Sequence, residues 1–262
     1  SHLFQSCESL SSINLKNFNG KEVKSIEEMF NSCESLEKIE MFETSNKLVK
    51  MSGTFRDCLS LTSIDLSKID SSNVEDMSYL FSNCGYLEDL QISNLRTSKV
   101  YDMSSMFQNC YMLTSIYLNN FDTSSVLSMR NMFQGCHQIE ELDVLKFNTS
   151  KVVDMYAMFS QCFELKKLDL RSFLTSEVTD MSYMFAEDSE LYELNVGNFD
   201  TKNVADMSYM FSELNVVGSL DVSKFNTKKV RDMSYMFNYC NDLRELDVSK
   251  FNTTNVQSMD SM

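Results

Sequence analysis

The chain has 262 residues, and its 23 Lys+Arg against 38 Asp+Glu give a formal net charge of −15. A surface this acidic repels phosphate backbones and disfavours nucleic-acid binding, and no apolar run approaches the length that inserts directly into or spans a membrane. Two His residues leave little material for a His-based metal site or a Ser/His/Asp triad, while 43% apolar residues are enough to build a core.

Along the chain, Phe recurs at 4, 30, 55, 81, 107, 133, 159, 185, 211 and 237, in steps of 26, 25 and then 26 residues. Cys keeps the same beat three places later, at 7, 33, 58, 84, 110, 136, 162 and 240, with Asp188 and Leu214 standing in its place in two units. A fixed period of this length is the mark of a repeat architecture. Residues 1–262 therefore read as a single solenoid domain of about ten 26-residue units.

Within a unit the elements follow in order. Asp76, Asp102, Asp154, Asp180, Asp206 and Asp232 stand where a helix N-cap is expected. Met233, Met236, Phe237, Cys240 and Leu243 then fall at i, i+3, i+4, i+7 and i+10, which predicts a short helix with one apolar face. Leu246-Asp247-Val248 alternates as a short strand does, and Asn252-Thr253-Thr254 reads as a turn. The strand text Leu-x-x-Leu/Ile-x-Val/Leu, as at Leu61-Ile64-Leu66 and Leu165-Leu168-Leu170, is the leucine-rich-repeat pattern. The expected fold is thus an α/β leucine-rich-repeat-like solenoid, each unit a short helix and a short strand. Strands stack about 4.8 Å apart and helices about 8–10 Å apart, so the parallel sheet is expected on the concave face. A lone unit buries too little to fold, and neighbours supply the stability. Neither end carries a polar cap, which reads as a fragment of a longer array.

The block Asp-Met-Ser-Tyr-Met-Phe occurs at 180–185, 206–211 and 232–237. It is followed in the regular units by Cys, by Leu-x-x-Leu-Asp-Val and by Phe-Asn/Asp-Thr-Ser or a near variant. This text resembles the BspA-like leucine-rich-repeat surface proteins, in their bacterial 26-residue subgroup. The resemblance implies a secreted or cell-surface protein associated with adhesion to host or neighbouring cells, and it supplies no catalytic motif. Two units depart from the pattern: the one containing Met41 to Met51 is a residue short, and Leu214-Asn-Val-Val-Gly218 replaces the usual Cys and Leu.

Chemistry-bearing residues fall into the same columns. The Cys spacing excludes a CxxC zinc pair, and thiols on an apolar face read as buried and reduced rather than disulfide-bonded. All Met residues but Met41 and Met112 fall on core positions. Asp188, in the Cys column, is expected to turn outward or to shorten its helix, because buried charge is costly. The outward strand position carries Asn14, Glu40, Asp65, Gln91, Tyr117, Asp143, Asp169, Asn195, Asp221 and Asp247. From this row Glu40, Asp65, Tyr117, Asp143, Asp169, Asp221 and Asp247 are the candidate binding residues. A one-dimensional row supplies poorly the six to eight converging oxygens that Ca²⁺ wants. No catalytic residue, metal or cofactor is expected, since catalysis needs unlike groups converging once and this chain repeats like groups. The expected function is non-enzymatic recognition or adhesion, the strand face binding an extracellular or cell-surface protein. The rival reading is a structural spacer or self-associating surface-layer or fibre element.

Overall fold

The computed structural model describes residues 2–215 and 218–262; Val216 and Val217, in the irregular unit, lie outside them, as does Ser1. The chain winds into stacked coils, one per repeat. Short strands form at β1 (Ser12–Asn14), β2 (Lys38–Glu40), β3 (Ser63–Asp65), β4 (Asp89–Gln91), β5 (Lys167–Leu168), β6 (Glu193–Leu194), β7 (Gly218–Ser219) and β8 (Leu243–Glu245). They pair in parallel as β1-β2, β3-β4, β5-β6 and β7-β8. The register equals the repeat: Ile13 lies opposite Ile39 and Ile64 opposite Leu90.

The expected helix is overturned. Among the described residues no helix forms, and the segment from Asp76 to Leu87 is a run of tight turns. Its N–H groups alternate in destination. Met77, Tyr79, Phe81 and Asn83 donate to Asp102, Ser104, Met106 and Gln108 of the next coil, at 2.7–3.1 Å. Ser82, Cys84 and Leu87 donate three residues back, to Tyr79, Phe81 and Cys84. A helix would pair the groups beyond its first turn within itself and hold neighbouring coils about 8–10 Å apart. The turn run shares them with the next coil and keeps strand-like spacing. The cost is backbone in the left-handed region twice per unit, as at Tyr79 (φ 57°) and Asn83 (φ 62°), and at Gly135 (φ 72°). Several of these places hold Asn, Asp or Gly, which enter that region most easily. The spacing i, i+3, i+4, i+7 marked the buried face correctly but serves successive turns as well as a helix.

The most continuous ladder lies where the helix start was expected. Parallel bridges run Ser25, Lys50, Asp76, Asp102, Ser128, Asp154, Asp180, Asp206, Asp232, Ser258, each to the next. The Asp residues there still accept the N–H two places on, as Asp76 Oδ1 does from Ser78 at 2.8 Å, but they open a turn. Because no packed helices widen one side, the cause of a concave sheet is removed. The stacked Phe rings of the turn runs step at only 5.4–5.9 Å.

The core is one continuous apolar column set. Phe30 to Phe211 are fully buried, and their rings stack within 4–12° of parallel. From Cys33 onward each thiol beside them donates to the Phe carbonyl of the preceding unit, as Cys84 Sγ does to Phe55 O at 3.0 Å and Cys110 Sγ to Phe81 O at 3.3 Å. The cysteines are free. From Cys33 onward burial weakens their acidity, the Cys136 pKa rising to about 12 and that of Cys240 to about 11. At Cys136 burial outweighs the opposing hydrogen bond with Cys110.

A second buried column is polar. Thr149 Oγ1 donates to Leu174 O at 3.0 Å and accepts the Leu174 N–H at 2.8 Å, and Thr97, Thr123, Thr175, Thr201 and Thr227 repeat this double link. The repeated Thr of the turn text is therefore a coil-to-coil clamp. No helix of the described residues is long and apolar enough to cross a membrane.

Candidate functional site

The strand face is built by the Leu-x-x-Leu text, which turns one side chain inward and sets the next outward. Glu40 and Asp65 are exposed at the ends of β2 and β3; Tyr117, Asp143, Asp221 and Asp247 are exposed in the same column but outside the short strands, the expected strand Leu246-Asp247-Val248 giving way to β8 at Leu243–Glu245, and Asp169 is half-buried just after β5. The register sets Asn14 directly against Glu40 and Asp65 against Gln91. Asp221 and Asp247 line one shallow cleft of about 340 Å³. Asp169 shares another, of about 500 Å³, with Lys167, Arg171, Glu193 and Asn195. Tyr117 and Gln91 line a third.

Most of these carboxylates also hold the backbone. Asp65, Asp143, Asp169, Asp221 and Asp247 each accept, through Oδ1, the N–H two residues on, at 2.7–3.2 Å. The hydrogen bonds from Ser67, Ser223 and Ser249 hold Asp65, Asp221 and Asp247 below the usual carboxylate range. At Asp169 the Arg171 guanidinium is the leading cause, gripping both oxygens at 2.7–3.0 Å. Asp65, Asp169, Asp221 and Asp247 therefore stay ionised further into acid than an ordinary carboxylate. In each of the five, Oδ1 is engaged by the turn.

Other features carried weaker sequence signals. The Ser-Tyr-Met text stacks Tyr183 on Tyr209 and Tyr209 on Tyr235, with centroids 4.4 and 4.6 Å apart. Arg130 lies 3.7 Å over the Tyr156 ring and reaches Asp154 and Asp180 at 3.4 and 3.7 Å. Tyr111, His137 and Phe163, each one place after a Cys, form a third stack. The 26-residue beat was the signal for all three, legible once aligned by column. Among the described residues no three His, Cys, Asp or Glu side chains converge as a metal would require.

The family model described as "Mycoplasma protein of unknown function, DUF285" matches residues 1–115, 86–191 and 158–262, which together cover the chain. No curated protein matches it. Among solved structures, a leucine-rich repeat protein from Bacteroides ovatus is 21% identical with a TM-score of 0.45, over 94% of this chain and 63% of its own. A leucine rich cell surface protein from Faecalibacterium prausnitzii is 15% identical with a TM-score of 0.35, over 94% and 75% of the two chains. A Leptospira interrogans leucine-rich-repeat protein is 11% identical with a TM-score of 0.34, over 82% and 49%. This chain spans about 63% of the length of the Bacteroides protein.

Proposed function

We propose that this chain, which belongs to the DUF285 family over its whole length, is a non-enzymatic recognition module of a cell-surface or secreted protein, binding protein partners along its strand face. One observation carries the reading: the outward column of successive coils holds the exposed carboxylates Glu40, Asp65, Asp143, Asp221 and Asp247, interrupted by Gln91, Tyr117 and Asn195 and flanked by shallow clefts. A row of like charges repeated at coil spacing suits many weak contacts with an extended basic surface. The resemblance of the repeat text to adhesion-associated surface proteins supports placement outside the cell.

The test is direct binding to an array of extracellular-matrix and cell-surface proteins at low and physiological salt. A saturable partner is expected, weakened by salt and by the triple substitution Asp143→Asn, Asp221→Asn, Asp247→Asn. Asn keeps the Oδ1 acceptor that each turn uses, so the fold survives while three charges go. Binding indifferent to both salt and the triple substitution would overturn the strand-face reading. Concentration-dependent self-association with no partner bound would favour a spacer instead.

A further inference from the structure

One place after the thiol column the coils carry Leu59, Gly85, Tyr111, His137 and Phe163, again at 26-residue intervals. Three of these stack as a surface pile: Tyr111 on His137 with centroids 4.6 Å apart, and His137 on Phe163 at 4.5 Å, both within 29° of parallel. Gly85 breaks the pile, because it brings no side chain between Tyr111 and Leu59. A cleft of about 510 Å³ opens there, lined by Leu59, Asn83, Gly85, Tyr86, Tyr111 and Met112. Tyr111 leans into part of the gap: a Cβ on Gly85 would lie 3.0 Å from its Cδ2. Its remaining face, with Leu59 (41% exposed) and Tyr86 (62%), is open to solvent.

We propose that this cleft is a docking slot for one aromatic side chain of a partner polypeptide, stacked on the open face of Tyr111 between Leu59 and Tyr86. The occupant follows from the lining. The pile already stacks rings at the spacing that favours aromatic pairs, and the open place lies next in the pile. The walls are apolar apart from the two phenol hydroxyls and Asn83. That amide is engaged on both sides, its Nδ2 donating to Asp57 Oδ1 at 2.6 Å and its Oδ1 accepting from Asn109 Nδ2 at 2.7 Å. A sugar ring needs convergent polar partners that this lining does not offer. A nucleobase would bring its phosphates against a chain of net charge −15. Burial lowers the His137 pKa, so the pile beneath Tyr111 is uncharged at neutral pH. Buried aromatic side chains in such pockets are the usual anchors of protein interfaces. The slot rests on the recognition reading only in taking the partner for a protein, and its residues are separate from the strand-face row.

The test titrates the whole chain with N-acetyl-tryptophanamide, N-acetyl-leucinamide and methyl glucoside, following the His137 and Tyr111 ring resonances by NMR. The tryptophan amide is expected to saturate those shifts, binding about 3- to 10-fold more tightly than the leucine amide, the factor that an aromatic pair supplies beyond burial. Gly85→Phe, which fills the gap from within, is expected to lose that binding, and so is Tyr111→Leu, which removes the stacking face and leaves Gly85 intact. The triple strand-face variant should bind the amide unchanged. Equal affinity for the leucine amide, preference for the glucoside, no saturation, or undiminished binding in both slot variants would overturn the proposal. Loss of array binding in the strand-face variant with the amide still bound separates this site from the strand-face reading.

Discussion

Asp188 shows how much a single position in a column matters. The cost of buried charge predicted that it would turn outward or shorten its helix, yet it is fully buried in the place of a thiol. Its Oδ1 accepts the Cys162 N–H at 2.9 Å, and its Oδ2 has no hydrogen-bond partner among the described residues. A carboxyl enclosed in this way favours its neutral, protonated form. Burial pushes its pKa well above the ordinary value, against the pull of the Cys162 hydrogen bond and with a smaller push from Glu187. In the unfolded chain the same group titrates near ~3.9. Between that pH and its raised folded value, the folded state binds a proton that the unfolded state has released. Stability from this residue is therefore full below about pH 4 and falls as pH rises through the window. Asp188→Asn keeps the Oδ1 acceptor and removes the titration. The stability of the natural chain relative to this variant, from urea midpoints, is expected to decline steadily from acid to neutral pH; parallel pH profiles would refute the protonated carboxyl.

At the scale of the element, the turn run from Asp76 to Leu87 and its counterparts decide the architecture. Their odd-numbered N–H groups reach the next coil in the unit beginning at Met77, whereas a helix would have closed those of Phe81 and Asn83 locally. Apolar spacing does not separate these outcomes, because both bury the same side chains. Left-handed backbone at Tyr79, Tyr183, Tyr209 and Tyr235 recurs in the repeat text without any residue type that announces it. Far-UV circular dichroism is expected to lack the helical double minimum. A helical spectrum would return the fold to one helix per unit.

Across the whole molecule, stability comes from columns that run through the coils. The Phe pile, the thiol-to-carbonyl links and the Thr clamps each join a unit to its neighbours, as a solenoid requires. An interior ring is held on both sides: Phe133 stacks on Phe107 at 5.7 Å and on Phe159 at 5.8 Å, whereas Phe4 meets only Phe30, at 5.4 Å, among the ring pairs of the described residues. Phe133→Ala is expected to cost about 3–5 kcal/mol, the range for large aromatic truncations in a core. Phe4→Ala, at a half-buried place, is expected to cost clearly less. Thermal unfolding of the two variants checks the order, and equal losses would mean that the coils do not share their stability through this column.

The sequence by itself determined the period, the columns and the inward face. Phe30 to Phe211, Cys33 to Cys162 and the Met residues of the core positions from Met29 to Met236 are buried, whereas Met259 is exposed and Met41, outside the pattern, is buried; Glu40, Asp65, Tyr117, Asp143, Asp221 and Asp247 are exposed. Those features depend on which side chains leave water, and periodicity records that directly. Only the tertiary structure decided where the backbone hydrogen bonds go, since each N–H chooses between its own coil and the next. That choice replaced the helix with turns, kept Asp188 inside and gave the strand-face aspartates a second task in their own turns. It also set Tyr111 beside the gap at Gly85, a neighbourhood that exists only once the coils are stacked.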